Sequence, residues 1–457
     1  MSTADKQNRL AAAGLPESSS VVDNALRESG IDPDRLSILH LGRDVSLRTM
    51  PRSLSKLLLG FGLWLCAWLA EDFLQALPAF VPALTALLVG LVILVAACDI
   101  LVSATERLAE RFRWNHYTAG TLAEILSTIP ELVVIAFIIP VSPASAFIIS
   151  LITIYNNALV FSLYSFFLPK DKQGKFLMPA PITEAGTQIL IDGGAMGLIL
   201  GLVMLTFNSS SQAKSAFGAT DLVFVSIVLL AIFAVYLYKL VSSYAEEESG
   251  VRKNLAMSAT DVEERLQIVY KNVNPSSFHL ITFMFLAGIL GAFVGGHQVS
   301  EFAKTMIGDL GVTPIFTALL LAVFAGMSEY IILWQSHRKQ EYGIALANAF
   351  GGITQVMFLV LPFTLLGIAL YQSFLNPAHP DLPLPFSLSN IFLLLFLFPT
   401  FYTLSSLLEE DHTLGILDTT IMTGIFLFLI SLLVGCGAMR MHLGEFSRER
   451  LELRKLL

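Results

Sequence analysis

Two glutamates, Glu131 and Glu329, lie deep inside long apolar segments of the chain. A carboxylate at the centre of a membrane helix costs roughly 2.5–3.5 kcal/mol on insertion scales, and acids at such positions tend to serve ion or proton pathways. A buried carboxylate can bind a cation when it is ionised and can carry a proton when it is neutral. The alternative is a structural glutamate that stays protonated and donates a hydrogen bond to a neighbouring helix.

Small residues with oxygen-bearing side chains accompany each acid at helical spacings that place several of them on one face. Carboxylate, amide and hydroxyl oxygens are the ligands that a hard cation such as calcium prefers, and sodium or potassium is an alternative. No histidine or thiolate cluster accompanies them, which disfavours soft transition metals. Taken singly, the hydroxyl and amide residues could equally form hydrogen bonds between helices. The predicted cation-binding residues are Glu131, Glu329, Asn157, Gln355, Thr128, Ser328, Ser127, Asn156, Thr354 and Asn348, with the two glutamates as the metal-binding pair.

Other ionisable side chains are candidates for a proton relay. Glu124 precedes Glu131 by two helical turns, and it could relay protons, line a vestibule or bond a neighbouring helix. Asp99 and His297 lie in apolar segments, and a histidine can titrate near neutral pH. The alternative for His297 is a role in helix packing. Asp192, in another apolar segment, is a further candidate.

Residues that weaken helices lie beside these polar groups. Pro130 precedes Glu131, and a proline inside a helix removes one backbone hydrogen bond and frees a carbonyl group one turn earlier. Gly351 and Gly352 can loosen a helix in the second half of the chain. Broken helices near the membrane midplane offer carbonyl oxygens to cations and helix dipoles to charges. In a plain helical bundle, the same residues only allow kinks and close packing.

The composition identifies the class of protein. Of the 457 residues, 55% are hydrophobic and 14% are charged, whereas soluble domains carry about a quarter charged residues. The apolar runs are continuous rather than alternating, so we expect membrane-spanning helices and not a barrel. The absence of a basic stripe argues against nucleic-acid binding. No HExxH motif or Ser/His arrangement of plausible geometry is found in the sequence, so we do not expect an enzyme.

Eleven apolar segments approach the ~20 residues that a helix needs to cross the hydrocarbon core. They cover residues 55–77, 80–106, 115–139, 144–168, 186–207, 220–241, 277–302, 313–336, 343–371, 389–408 and 417–438. With the N-terminus in the cytoplasm, lysine and arginine accumulate in the inner loops, as the positive-inside rule requires. Eleven spans place the basic C-terminal tail outside, so either the tail is an exception or the count of spans differs by one.

A single offset of 198 residues aligns the two halves of the chain. It places Glu131 on Glu329 and Asn157 on Gln355. Few residues are identical, but polar groups recur at the same places in apolar helices. Five spans per half is an odd number, so the two halves must enter the membrane from opposite sides, as in transporters with inverted repeats.

We therefore predict an all-α integral membrane fold with a ten-helix core of two inverted five-helix repeats and one extra N-terminal transmembrane helix. The predicted regions are a cytoplasmic, largely disordered arm (1–52), the extra helix (55–77), the first repeat (80–241), a cytoplasmic loop (242–276), the second repeat (277–438) and a C-terminal tail (439–457).

Two short motifs resemble a known family. The segments STIPEL (127–132) and AGMSEY (325–330) resemble the α-repeats of the calcium/cation antiporter superfamily, in which a small residue and Asn or Thr precede the cation-binding acid. The stretch 325–362 is similar to the second repeat of the calcium/proton exchanger branch, with a short basic loop, a Gly-small-x-x-Gln run and a final proline. The resemblance implies a ten-helix core with the cation between the two acids. Tyr330 stands where proton exchangers commonly have a histidine after the second acid.

These observations predict a secondary active antiporter that exchanges calcium, or another hard cation, for protons or sodium. A monovalent cation (sodium or potassium)/proton antiporter is one alternative, and a non-transporting cation sensor or a channel on the same scaffold is another. No cofactor is expected apart from the transported cation. The expected partners are the lipid bilayer, inorganic cations and protons, with nucleic acid excluded and the oligomeric state left open. We expect a multi-pass protein of the cytoplasmic membrane of a bacterium.

Overall fold

The computed structural model describes residues 52–70, 77–112, 125–178, 182–209, 216–256, 277–312, 314–338, 342–375, 384–409 and 412–432. The chain forms two compact units, one of Met1–Met50 with Ala245–Asn274 and one of Pro51–Tyr244 with Pro275–Leu457. Of the first unit, only the helical stretch 245–256 is described. The predicted N-terminal arm up to residue 51 and the predicted tail 439–457 lie outside the described residues.

The described part of the chain is built almost entirely from helices. They are α1 (Arg52–Leu69), α2 (Phe80–Phe112), α3 (Ile129–Ile138), α4 (Pro143–Tyr164), α5 (Thr187–Ser209), α6 (Ala219–Ala256), α7 (Phe278–Lys304), α8 (Pro314–Ala325), α9 (Met327–Arg338), α10 (Tyr342–Gln355), α11 (Leu361–Leu370), α12 (Leu388–Glu409) and α13 (Ile416–Leu432). One π-helical turn, Ile182–Gly186, leads into α5, and another, Val356–Val360, joins α10 to α11. Two more follow α7 (Thr305–Asp309) and α11 (Tyr371–Leu375).

The lengths and composition of these helices are those of a membrane protein. Within the described ranges, seven helical segments are long and apolar enough to cross a bilayer, and four shorter apolar helices accompany them. Each of the eleven predicted spans contains one of these segments. Many large apolar side chains, such as Phe224 and Leu286, are exposed, as expected where lipid rather than water surrounds the protein. The prediction of a multi-pass, mainly helical membrane protein is confirmed.

Two of the predicted spans are interrupted rather than continuous. The third span is helical at 125–127, turns at Thr128 and continues as α3, which begins with Pro130 in its first turn. The eighth span turns at Gly326, between α8 and α9. Proline favours the first turn of a helix because it lacks the backbone N–H that would have no partner there. Helices α3 and α9 begin 198 residues apart, which is the offset that aligns the two acids.

Two small antiparallel sheets accompany the helices, a feature that the prediction of an all-α fold did not include. Strand β1 (Phe176–Leu177) pairs with β4 (Thr413–Leu414), and β2 (Ala216–Phe217) pairs with β3 (Leu384–Pro385). Two-residue strands carry too little alternation to stand out in a sequence, and the pairing satisfies backbone groups in the connections between helices.

The helices that follow β2 and β4 begin in the same way. The Asp221 carboxylate accepts a hydrogen bond from the Gly218 backbone N–H at 2.9 Å, just as Asp418 accepts one from Gly415 at 2.8 Å. The two aspartates are 197 residues apart. The same local structure therefore recurs in both halves of the chain at nearly the offset of the two acids.

Glycines allow two pairs of long helices to approach closely. A Cβ atom at Gly90 of α2 would stand 2.8 Å from the carbonyl oxygen of Gly295 in α7, and one at Gly194 of α5 would stand 3.0 Å from Cα of Phe398 in α12. Small residues at helix contacts are typical of membrane proteins, in which van der Waals packing and hydrogen bonds hold helices together.

Helix α1 lies on α2 and α7. Gly60 faces Ile93 of α2, and Leu57 lies against Gly291 of α7. Lys56 forms an ion pair with Asp99 of α2, so the acid that was predicted as a proton relay has a basic partner on the extra helix.

We expect Gly90→Ala to destabilise the protein. The added methyl group would meet backbone of α7 that cannot move aside alone, and overpacking of this kind costs about 1–3 kcal/mol. Gly62→Ala is the matched control because a Cβ there meets nothing within 4 Å, and removing a helical glycine is worth about 0.5–1 kcal/mol. Thermal unfolding of the detergent-solubilised variants measures both effects. If Gly90→Ala melts no lower than the unchanged protein, the close approach of α2 and α7 is wrong.

Candidate cation site

Glu131 lies in the first turn of α3 and is only 3% exposed. Both of its carboxylate oxygens are buried, and neither has a hydrogen-bond partner in the described part of the chain. The Thr128 side chain does not cap the helix and instead donates a hydrogen bond to the carbonyl oxygen of Ile125 at 2.7 Å. The positive end of the helix dipole favours negative charge at such a position.

Glu329 occupies the corresponding place in the first turn of α9 and is 7% exposed. A Cβ atom at Gly352 of α10 would stand 2.6 Å from Oε2 of Glu329 and 3.0 Å from Nδ2 of Asn157 in α4. The Asn348 side chain donates a hydrogen bond to the backbone carbonyl oxygen of Glu329 at 3.2 Å. Helices α4, α9 and α10 therefore bring polar groups to one point. The polar groups occupy the space that a side chain at residue 352 would fill, so only glycine fits there.

A small cavity of about 10 Å³ opens beside Glu329. This is about the room that one water-sized sphere requires. Its lining combines polar and apolar side chains from α4, α9 and α10, namely Asn157, Val160, Glu329, Tyr330, Leu333, Asn348 and Ala349.

Tyr330 joins α9 to α4 beside the second acid, a role that the sequence did not suggest. Its hydroxyl group is hydrogen-bonded to the side-chain amide of Asn156, and it lies 2.6 Å from where a Cβ at Gly326 would stand. A polar side chain directly after the second acid was the available signal, but in the sequence Tyr330 stood out only as a departure from a family pattern.

Several buried side-chain polar atoms have no hydrogen-bond partner among the residues that the structure describes. They include both carboxylate oxygens of Glu131, both side-chain polar atoms of Asn157 and Oε1 of Gln355. Leaving a buried polar group without a hydrogen bond costs about 1–3 kcal/mol. Such groups are expected where a ligand completes the set, and carboxylate and amide oxygens suit a hard cation.

The remaining predicted ligands are placed as follows. Ser127 is buried, and the hydroxyl group of Thr354 is buried and donates a hydrogen bond to a carbonyl oxygen of its own helix at 3.0 Å. The backbone of Ser328 lies beside Glu329, but its side chain lies outside the described structure, as does all of Glu124. Hydroxyl groups that donate within their own helix keep lone pairs that can face a cation.

The other relay candidates have partners of their own. Asp99 pairs with Lys56, as described above. His297 lies 3.6 Å from the Glu301 carboxylate, and its ring packs edge-on against Phe137 of α3. Asp192 is exposed on α5. In the described residues, no three His, Cys, Asp or Glu side chains are grouped as they would be around a resident metal ion.

Part of the chain matches a known family. A sequence profile described as "Sodium/calcium exchanger protein" matches residues 280–435, a range that contains Glu329. In sequence comparison with curated proteins, no significant match is found.

The fold is similar to that of the H+/Ca2+ exchanger CAX, with a TM-score of 0.54 and 15% identity over 89% of this chain and 100% of that chain. It is also similar to that of native YfkE, with a TM-score of 0.53 and 14% identity over 83% of this chain and 99% of that chain. At such low identity the likeness establishes the fold alone. Together with the profile match, it confirms a distant resemblance to the calcium/cation antiporter superfamily.

We expect Gly352→Ala to weaken cation binding. The new methyl group would displace the Glu329 carboxylate or the Asn157 amide, and the loss of one charge-assisted contact should reduce affinity about tenfold or more. Gly424→Ala is the matched control because a Cβ there has nothing within 4 Å. Cation-dependent thermal stabilisation measures the affinity through mass action. Equal stabilisation of the two variants would show that the cation does not sit at this point.

Proposed function

We propose that this protein is a secondary active antiporter in which Glu131 and Glu329 alternately hold a hard cation and protons. The observation that carries the proposal is that, within the described residues, the buried carboxylate oxygens of Glu131 and the side-chain amide atoms of Asn157, which lies beside Glu329 at Gly352, have no hydrogen-bond partner. Calcium is the first candidate for the cation, and protons or sodium are the candidates for the coupling ion. Sodium or potassium in place of calcium is the alternative.

The chemistry of two buried carboxylates explains why exchange would be obligatory. Ionised carboxylates that share a site repel one another, and low dielectric strengthens that repulsion. Binding of a divalent cation or binding of protons removes it, and the two cannot occupy the same oxygens together. A site of this kind therefore releases protons when it takes up the cation, and releases the cation when protons return.

The similar fold of the H+/Ca2+ exchanger CAX and the sodium/calcium exchanger profile support this choice of function. We further propose a ten-helix core of two inverted five-helix repeats, with α1 as the extra helix. The helix breaks at Thr128 and Gly326, the paired sheets, and the matching Asp221 and Asp418 contacts support the repeat. Each position is five spans away from its equivalent in the other half. Because five is an odd number, the second half would enter the membrane from the opposite side. The cytoplasmic membrane of a bacterium is the proposed location.

The choice of cation can be tested with the purified protein. We expect calcium to raise the melting temperature of the detergent-solubilised protein by about 2–5 °C at saturating concentration, and sodium, potassium and manganese to raise it less. A ligand of the folded state stabilises it by mass action, so the ranking reports relative affinity. A larger increase in melting temperature with sodium or potassium would contradict calcium as the cation and would indicate a monovalent cation instead.

Exchange itself can be measured in liposomes that contain a pH-sensitive dye. We expect a cation gradient to drive proton movement, and we expect Glu131→Gln or Glu329→Gln to slow it by about 10- to 100-fold, the cost of losing one charged ligand. Glu184→Gln is the matched control because this glutamate is exposed at the start of the π-helical turn before α5.

Three results would count against the proposal. Unchanged flux in both site variants would show that these acids do not carry the ion. Passive cation flux without proton movement would indicate a channel, and cation binding without any flux would indicate a sensor.

A further inference from the structure

Three aromatic side chains from three helices form a cluster beyond the cavity. The hydroxyl group of Tyr164 at the end of α4 lies 3.3 Å from Nδ1 of His337 in α9, and their ring centroids are 5.7 Å apart. The His337 ring also packs edge-on against Tyr342 at the start of α10, with centroids 5.4 Å apart. Tyr164 is only 6% exposed.

The cluster stands on the same helix faces as the cavity. Along α9, Glu329, Leu333 and His337 follow one another at four-residue spacing, and Leu333 lines the cavity. Eight residues of α-helix place His337 about 12 Å beyond Glu329. Along α4, Tyr164 lies one turn beyond the cavity residue Val160. Tyr164 and His337 therefore follow the cavity residues along the same faces of α4 and α9.

The cluster lies at the C-terminal end of α9, next to a charged residue. Arg338 follows His337 and is exposed. Trp334 stacks on the outer side of His337, with centroids 6.5 Å apart, and is 63% exposed, as tryptophans at membrane interfaces often are.

We propose that Tyr164, His337 and Tyr342 form a gate that separates the cation site from the aqueous phase at the Arg338 end of α9. The inference rests on the proposed function, since a gate has a role only if ions reach Glu329. Among the described side chains of the cluster, one hydrogen bond, between Tyr164 and His337, joins α4 to α9. One such bond shifts a population only a few-fold to about tenfold, so the closure is reversible.

The test measures access to the cavity and not transport. Cys66, Cys98 and Cys436 are replaced by alanine, and Val160→Cys places one thiol in the cavity lining. A charged, membrane-impermeant thiol reagent is added to inside-out and to right-side-out membrane vesicles. Tyr164→Phe and His337→Ala are then compared with Tyr238→Phe and His279→Ala, which remove the same groups at exposed positions on α6 and α7.

We expect Tyr164→Phe and His337→Ala to accelerate labelling of residue 160 by about three- to tenfold, in inside-out vesicles only. Inside-out vesicles expose the cytoplasmic side, where the positive-inside rule places the Arg338 end of α9. We expect the two control variants to leave the rate unchanged. Equal rates in all variants, or acceleration only from the opposite face, would overturn the gate. The melting temperatures of the variants are compared to exclude unfolding as the cause of faster labelling, because a protein that opens only locally keeps its cooperative thermal transition. Absence of ion exchange together with accelerated labelling counts against the antiporter and leaves the gate standing.

Discussion

The free energy of burying two carboxylates in an apolar bundle dominates the centre of this protein. Glu131 and Glu329 are 3% and 7% exposed, and the oxygens of Glu131 have no hydrogen-bond donor in the described structure. A bound proton or a bound cation would compensate for this burial. In the antiporter that we propose, the features that surround the acids, from the helix breaks to the amide side chains, serve to accommodate either one.

The breaks in two helices place the acids where the backbone itself helps. Each acid lies in the first turn of a short helix that begins after a break, where the helix dipole favours negative charge. Pro130 favours the break before α3, because proline suits the first turn of a helix. Gly326 lies at the break before α9, and the Tyr330 hydroxyl group packs against it. Glycine at residue 352 then leaves the space in which the Asn157 amide from the first half and the Glu329 carboxylate from the second lie side by side.

Much of the fold could be predicted from the sequence because continuous apolar runs indicate membrane-spanning helices. The acids stood out for the same reason, since charge is rare in such runs. Hydropathy does not report which side chains meet across helices, so the contact between Tyr330 and Asn156 could not be predicted from the sequence. The same holds for the pairing of Asp99 with Lys56 and of β1 with β4, because both contacts join distant parts of the chain. Helix α6 continues to Ala256, into the stretch that was predicted as a loop. Charged residues such as glutamate, lysine and arginine are good helix formers, so a polar stretch can continue a helix.

The two small sheets have a mechanical consequence. Strands β1 and β2 flank α5, and β3 and β4 flank α12, so the pairs β1–β4 and β2–β3 fasten these two helices together at both ends. Between the fastenings, the glycines of α5 sit directly on the backbone of α12. One helix cannot shear along the other without rupturing main-chain bonds at two separate points. The pair therefore resists sliding, and we infer that the exchange of the acids between compartments, as proposed above, leaves this pairing intact.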